Sequence, residues 1–197
     1  MSPLLIAASL FAFVSSITPG PNNTMALASG ANFGFARSVP HWLGIGLGFG
    51  VMLIAVGLGL NQVLAQFPAA YDVLRWVGAA YLLYLAWKLA TATGMGAEAA
   101  ASARPISFIS AAAFQWVNPK AWVMAVTAMS TYLPAHAGIF DVLLLTVLFV
   151  LINLPCVGVW VGSGMALRRF LQDPKRLRAF NIGMAVMLVA SLYPMLA

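Results

Sequence analysis

Charged residues are absent from the first 36 positions of the chain, and then from long runs at 38–71, 121–140, 142–167 and 179–197. A helix rises about 1.5 Å per residue, so crossing the hydrocarbon layer of a bilayer takes about 20 mainly apolar residues. Most of these runs reach that length. The pattern predicts six spans, at roughly 3–26, 39–66, 70–91, 106–133, 138–163 and 178–196. The third is the least apolar, with Asp72 and Arg75 at its start and Lys88 near its end, yet its centre "WVGAAYLLYLAW" is uncharged. Trp76, Tyr81, Tyr84 and Trp87 there suit headgroup anchoring or helix contacts better than ligand binding. The N-terminal "MSPLLIAASLFAFVSSITPG" lacks the basic n-region of a secretory signal and runs on into more apolar sequence, so it reads as a retained first span.

Composition identifies the solvent. The chain is 62% hydrophobic and 7% charged, with a mean hydropathy of +0.94, whereas a soluble domain carries about 25% charged residues. The fold class expected is an all-α polytopic membrane protein, one domain over 1–197 with no soluble module. The formal net charge of +6 does not mark a nucleic-acid binder, because the basic residues sit at the ends of apolar segments and form no basic domain. That is the arrangement membrane orientation requires. With six spans, loops 1–2, 3–4 and 5–6 share one side. They and the adjoining span ends hold Arg37, Lys88, Arg104, Arg168, Arg169, Lys175, Arg176 and Arg178, against Arg75 on the other side. The asymmetry puts those loops in the cytoplasm and both termini outside. The segment "RRFLQDPKRLR" is then an orientation signal first and an anionic-lipid contact second. The single cysteine, Cys156, excludes an intramolecular disulfide and a cysteine-rich metal site, and suits packing.

Two stretches break this apolar pattern. "SITPGPNNTM", Ser16 to Met25, places two prolines, a glycine and two asparagines inside the first span, and "WVNPKAW" places Asn118, Pro119 and Lys120 inside the fourth. Pro3 precedes the first break much as Pro105 precedes the second. Spans 2 and 5 are both glycine-rich ("GIGLGFG" and "VGVWVGSG"), and Gly78 and Gly183 lie early in spans 3 and 6. The halves, about 1–95 and 100–197, therefore read as repeats, and three spans in each makes the second inverted relative to the first. Matching proline interruptions in two inverted halves are the best sequence pointer to a transporter's binding site.

The breaks also carry the candidate chemistry. Thr18 can cap a half-helix starting at Pro19 or Pro21, since proline suits the first helical turn, and Gly20 permits unusual dihedrals between them. Asn22 and Asn23 add donors and acceptors at the same place. Asn118 is a good cap for a second half-helix starting at Pro119 and running the opposite way. Each helix start acts as roughly half a positive charge and favours anions, and Lys120 adds a full charge. A lysine at a helix centre costs about 2.5–3.5 kcal/mol on insertion scales, so it must face a cavity, a counter-charge or water. Together these groups suggest a carboxylate-bearing ligand. The competing explanation is a proline kink in which Asn118 and Lys120 are satisfied by neighbouring carbonyls. Gln115, at i,i+3 from Asn118, is expected on the same face. Asn153 fits helix–helix contact as well as ligand contact. Asp72 and Asp141 belong near the outer surface, and His41, at the cytoplasmic start of span 2, is expected to be solvated. No acidic residue stands clearly at mid-membrane.

No phosphate-binding glycine loop, paired carboxylates, His-x-x-x-His spacing or Ser/His/Asp set is visible. No cofactor is expected, and an intramembrane enzyme would lack general acid–base groups.

"TPGPNNTMALASGANFGFARSVPHWLGIGLG" and "QWVNPKAWVMA" resemble the paired signatures of the LysE/RhtB family of bacterial amino-acid exporters, and "WVGAAYLLYLAWKLA" and "PISFISAAAFQWVNPK" extend the similarity over essentially the whole chain. The sequence looks most similar to the branch that exports cysteine and O-acetylserine. The resemblance implies an inner-membrane secondary exporter of small amino acids, driven by the proton gradient. Its motif falls on Pro19, Gly20, Pro21, Asn22 and Asn23, and on Asn118, Pro119 and Lys120. The scarcity of ionisable groups in the spans fits a neutral zwitterion better than a dibasic substrate. A passive small-solute pore between facing half-helices is the rival function, and a membrane enzyme or accessory subunit a weaker one. A homodimer through the glycine-rich faces is open, although those faces suit packing within one chain equally well.

Overall fold

The computed structural model describes residues 3–60, 62, 66, 68–92, 105–134 and 136–193, so Arg104 and the far end of the sixth expected span lie outside the described residues. Among these, the regular structure is helical throughout. Pro3–Ile17 (α1) and Pro21–Phe33 (α2) flank the first break and are bent by 54°. Phe35–Gly57 (α3) follows directly, because Gly34 takes the left-handed φ of 79° that glycine adopts without steric cost. Pro68–Ala90 (α4) comes next. Phe108–Phe114 (α5) then passes through a 3₁₀ turn at Gln115–Val117 into Pro119–Tyr132 (α6), across the second break. Ile139–Leu167 (α7), a 3₁₀ turn at Phe170–Gln172 and Pro174–Ala190 (α8) complete the order.

α3 and α7 are each long and apolar enough to cross a membrane, and the bent α1–α2 pair makes a third such unit. The remaining helices fall short for visible reasons. α4 carries Asp72, Arg75 and Lys88. α5 and α6 are cut to 7 and 14 residues by the second break, and α8 holds Lys175, Arg176 and Arg178 in its first turns.

α7 is the central helix, with α1, α2 and α3 packed on it; α5 and α6 pack on α3, and α4 packs on α8. The glycine-rich faces make these crossings within the chain. A Cβ on Gly30 of α2 would come 2.0 Å from the Val161 carbonyl oxygen, and one on Gly164 of α7 would come 2.0 Å from that of Leu27. Small residues allow such backbone approach, which is how helices associate where lipid removes the hydrophobic drive. Phe49, Leu53, Ala125 and Phe149 sit in the largest apolar cluster, between α3, α6 and α7. Leu10, Trp76, Leu144 and Val186 remain exposed on outer faces, as side chains meeting lipid do. At one end, Ala31, Leu171 and Leu177 bring the α2–α3 turn beside the basic 168–178 segment.

His41 departs from expectation. It is 0% exposed, and neither ring nitrogen has a hydrogen-bond partner. α3 starts at Phe35, four residues before the expected span, so His41 lies well inside the helix. It shares the face of Gly44, which packs against α5, and does not reach the interface.

Candidate functional site

A helix that ends inside hydrocarbon leaves its last carbonyls without intrahelical donors, and lipid supplies none. At the end of α1 each of them finds a donor. The Thr18 amide bonds to the Val14 oxygen at 3.2 Å, and Thr18 Oγ1 donates to the Ser15 oxygen at 3.1 Å. Asn23 Nδ2 donates to the carbonyls of Ser16 and Thr18, both at 2.8 Å. Trp160 Nε1, from α7, reaches the Ile17 oxygen at 3.0 Å. Lys120 Nζ, from α6, donates to the Thr18 oxygen at 2.7 Å, to Thr18 Oγ1 at 3.0 Å and to the Pro19 oxygen at 3.2 Å. The Gly20 oxygen then accepts the Thr24 amide at 2.9 Å, the first bond of α2. The competing explanation for Lys120 is thus realised in this conformation: all three of its N–H donors are held by the broken backbone.

Two details correct the sequence expectations. Thr18 does not cap α2, which opens at Pro21 with Gly20 in the cap position and no side chain on its amides. Thr18 lies too far upstream of the actual first turn to reach those amides, and its hydroxyl serves Ser15 and Lys120. Gly20 is not needed for its dihedrals either: φ 179° and ψ 177° are extended backbone open to any residue. What it provides is space, since a Cβ there would lie 2.8 Å from Lys120 Cδ and 3.2 Å from Nζ.

The second break follows expectation more closely. Asn118 Oδ1 accepts the Lys120 amide at 3.1 Å and Pro119 takes the first helical position. Pro119 has no N–H, so the Ala121 amide is left without an intrahelical acceptor, as are those of Asn22 and Asn23 at the start of α2. Gln115, in the 3₁₀ turn, is 0% exposed. It donates Nε2 to the Ala111 oxygen at 2.8 Å and to Asn22 Oδ1 at 3.2 Å, and accepts Asn22 Nδ2 at 2.8 Å. This reciprocal amide pair joins the two breaks a second time.

Both breaks face one cavity of about 20 Å³, room for about one water. Gly20, Asn22 and Asn23 line it from the start of α2, and Asn118, Lys120 and Ala121 from the start of α6, with Gln115 beside them. Thr18, Pro19, Pro21 and Pro119 are not on its walls; they shape the breaks, and Thr18 and Pro19 act through their oxygens on Lys120. Sequence reasoning missed Ser15, Ser16, Phe49, Ala121, Met124 and Val157 as lining residues and left Asn153 undecided. Ser15 and Ser16 carried a signal, as paired hydroxyls just before a break. The four apolar residues carried none, because an apolar side chain in an apolar helix is unmarked.

Among the described residues, Lys120 brings the only full charge to the cavity wall, and no carboxylate lines it. Among the described residues no group of three or more His, Cys, Asp or Glu side chains could hold a metal. The wall can receive an anion if the Lys120 amine exchanges one of its three oxygens for a ligand oxygen beside the open amides.

Apolar helices long enough to cross a membrane, with two helix breaks meeting at a small polar cavity, define the class as a membrane-embedded protein. The LysE type translocator family matches this chain over residues 13–191, and the chain belongs to that family: it is a transporter, not an enzyme. It is 36% identical over 192 residues, 96% of each chain, to the cysteine/O-acetylserine efflux proteins of Escherichia coli (strain K12) and Shigella flexneri. No solved structure matches it.

Proposed function

We propose that the protein exports small neutral amino acids or their derivatives, of the cysteine, O-acetylserine, homoserine and threonine type, across a bacterial inner membrane. The observation that carries this is the convergence of Lys120 with the starts of α2 and α6 on one cavity. The substrate carboxylate docks between the two half-helix starts and takes a donor from Lys120, while Asn22, Asn23 and Asn118 orient it. The absence of a carboxylate from the wall favours a neutral zwitterion over a dibasic substrate, and the efflux activity named for the relatives agrees in class.

Binding and movement are linked in this scheme. Lys120 fastens α6 to the end of α1, so giving a donor to substrate loosens the two broken units from each other. Alternating access then follows from rocking of two inverted three-span halves. The packing supports that symmetry: α1–α2 lie on α7 as α5–α6 lie on α3, while α3 pairs with α7 and α4 with α8. Arg37 and the basic 168–178 segment gather at one end, which supports a cytoplasmic face there and both termini on the periplasmic side. The family resemblance supports the proton gradient as the driving force.

The test is Lys120→Met in everted membrane vesicles, scored by accumulation of labelled neutral amino acids. Export should collapse while the protein remains inserted; unchanged export would remove the carboxylate site.

A further inference from the structure

Asn153 of α7 is 6% exposed and lies on the cavity wall. Its Nδ2 donates to Ser16 Oγ at 3.0 Å, and its Oδ1 is buried with no partner. A buried unpaired carbonyl oxygen is costly, because it has lost water and gained nothing. The oxygen is an acceptor, so whatever satisfies it must bring an N–H or O–H donor. The opposite requirement holds at the half-helix starts, where the Asn22, Asn23 and Ala121 amides and the Lys120 amine are all donors. The residues around the cavity therefore bring donors at the half-helix starts and acceptors at Asn153, Ser15 and Ser16, with Asn153 Oδ1 sealed from the cavity until its walls part.

We infer that Asn153 Oδ1 receives the α-ammonium group of the substrate, making it the residue that distinguishes an amino acid from a plain carboxylic acid. This rests on the carboxylate site proposed above, because an α-ammonium is one carbon away from the carboxylate it accompanies and both must meet the walls of one site as it opens. Neutral acceptors are enough to hold it, since the zwitterion brings its own counter-charge and no buried acid is required. The Ser16 hydroxyl holds Asn153 in place and links the acceptor side to the end of α1, the segment that Lys120 also grips.

The experiment is counterflow in proteoliposomes of the full chain, with labelled L-serine, L-cysteine and L-threonine. The amino acid that moves is challenged with its own unlabelled form, its methyl ester and its desamino acid (3-hydroxypropanoate for serine, 3-mercaptopropanoate for cysteine). Wild type should prefer the amino acid to the desamino acid. Asn153→Leu should lower that preference by roughly tenfold to a hundredfold, the range for a hydrogen bond to a charged group, and leave the preference over the ester intact. Asn153→Asp, nearly identical in shape, should widen the preference for the amino acid and keeps the question answerable if the leucine variant does not fold. Lys120→Met should do the reverse, losing the preference over the ester. An unchanged desamino preference in both Asn153 variants overturns the assignment even when Lys120→Met behaves as expected. Counterflow with none of the amino acids overturns the underlying function and this assignment together.

Discussion

The Lys120 ammonium lies 2.7 Å from the Thr18 carbonyl oxygen, across 102 residues of sequence. One group thereby fastens the start of α6 to the end of α1 and solvates a carbonyl that lipid would leave bare. The contact exists because Gly20 leaves room for the lysine stem. Gly20→Ala tests that dependence without removing any polar group. The extended backbone at Gly20 accepts alanine, so insertion and yield should match wild type. The new Cβ would stand 2.8 Å from Lys120 Cδ and displace the amine from at least one oxygen. Loss of one charge-assisted bond is worth about 1.5–3 kcal/mol, so export from everted vesicles should fall about tenfold or more. Wild-type export from a normally inserted Gly20→Ala protein would show that the amine's position does not matter.

The helix crossing of α2 on α7 gives a prediction about stability alone. Gly30 and Gly164 face carbonyl oxygens that cannot yield, whereas a Cβ on Gly162 or Gly183 meets nothing within 4 Å. Overpacking costs typically about 1–3 kcal/mol and sometimes more, and here the backbones themselves must separate. Gly30→Ala and Gly164→Ala should melt well below wild type in detergent or fail to accumulate. Gly162→Ala and Gly183→Ala should be neutral or stabilising by up to about 1 kcal/mol, the helix-propensity gain. Similar melting temperatures for all four variants would contradict the crossing.

The Asn22–Gln115 pair predicts coupling between the two breaks. Each amide both gives and takes a bond, so removing either strands its partner. Asn22→Ala and Gln115→Ala should each lower stability, by about 1–3 kcal/mol for the stranded group, and the double variant should cost less than their sum. A double-mutant cycle on thermal melting of the substrate-free protein measures this, and an interaction energy near 0.5–1.5 kcal/mol is expected for contacting residues. Simple additivity would mean that the two breaks are not joined here.

Much of this architecture is legible in the residues alone. The two breaks announce themselves through Pro19, Pro21, Asn118 and Pro119, because cap and first-turn chemistry is local and survives any tertiary arrangement. α3, α7 and the bent α1–α2 pair follow from uncharged run length, which depends only on the bilayer. What the sequence does not carry is which oxygen each polar group meets. Lys120 and the Thr18 carbonyl, or Asn153 and Ser16, are brought together by helix crossings that no single stretch encodes. Thr18 misled for a related reason: two residues, Pro19 and Pro21, were eligible to start α2, and the choice between them fixes which residue caps. The role of Gly20 was invisible because its reason, the passing stem of Lys120, comes from the other half of the chain.

His41 supplies the last test, through a residue whose polar atoms make no bond. Its ring is fully buried with both nitrogens unpartnered. In a neutral imidazole one nitrogen donates and the other accepts, so each has lost water without replacement. Leaving a buried polar group unsatisfied costs about 1–3 kcal/mol, whereas an apolar side chain of similar size incurs no such penalty in the same pocket. His41→Leu should therefore keep or raise the thermal stability of the purified protein, whereas most core substitutions lower it. His41→Ala, which leaves a cavity between α3 and α5, should lower it by about 2 kcal/mol or more. The comparison separates volume from polarity at one position. A leucine variant that melts as early as the alanine variant would mean the imidazole nitrogens contribute bonds that this packing does not contain.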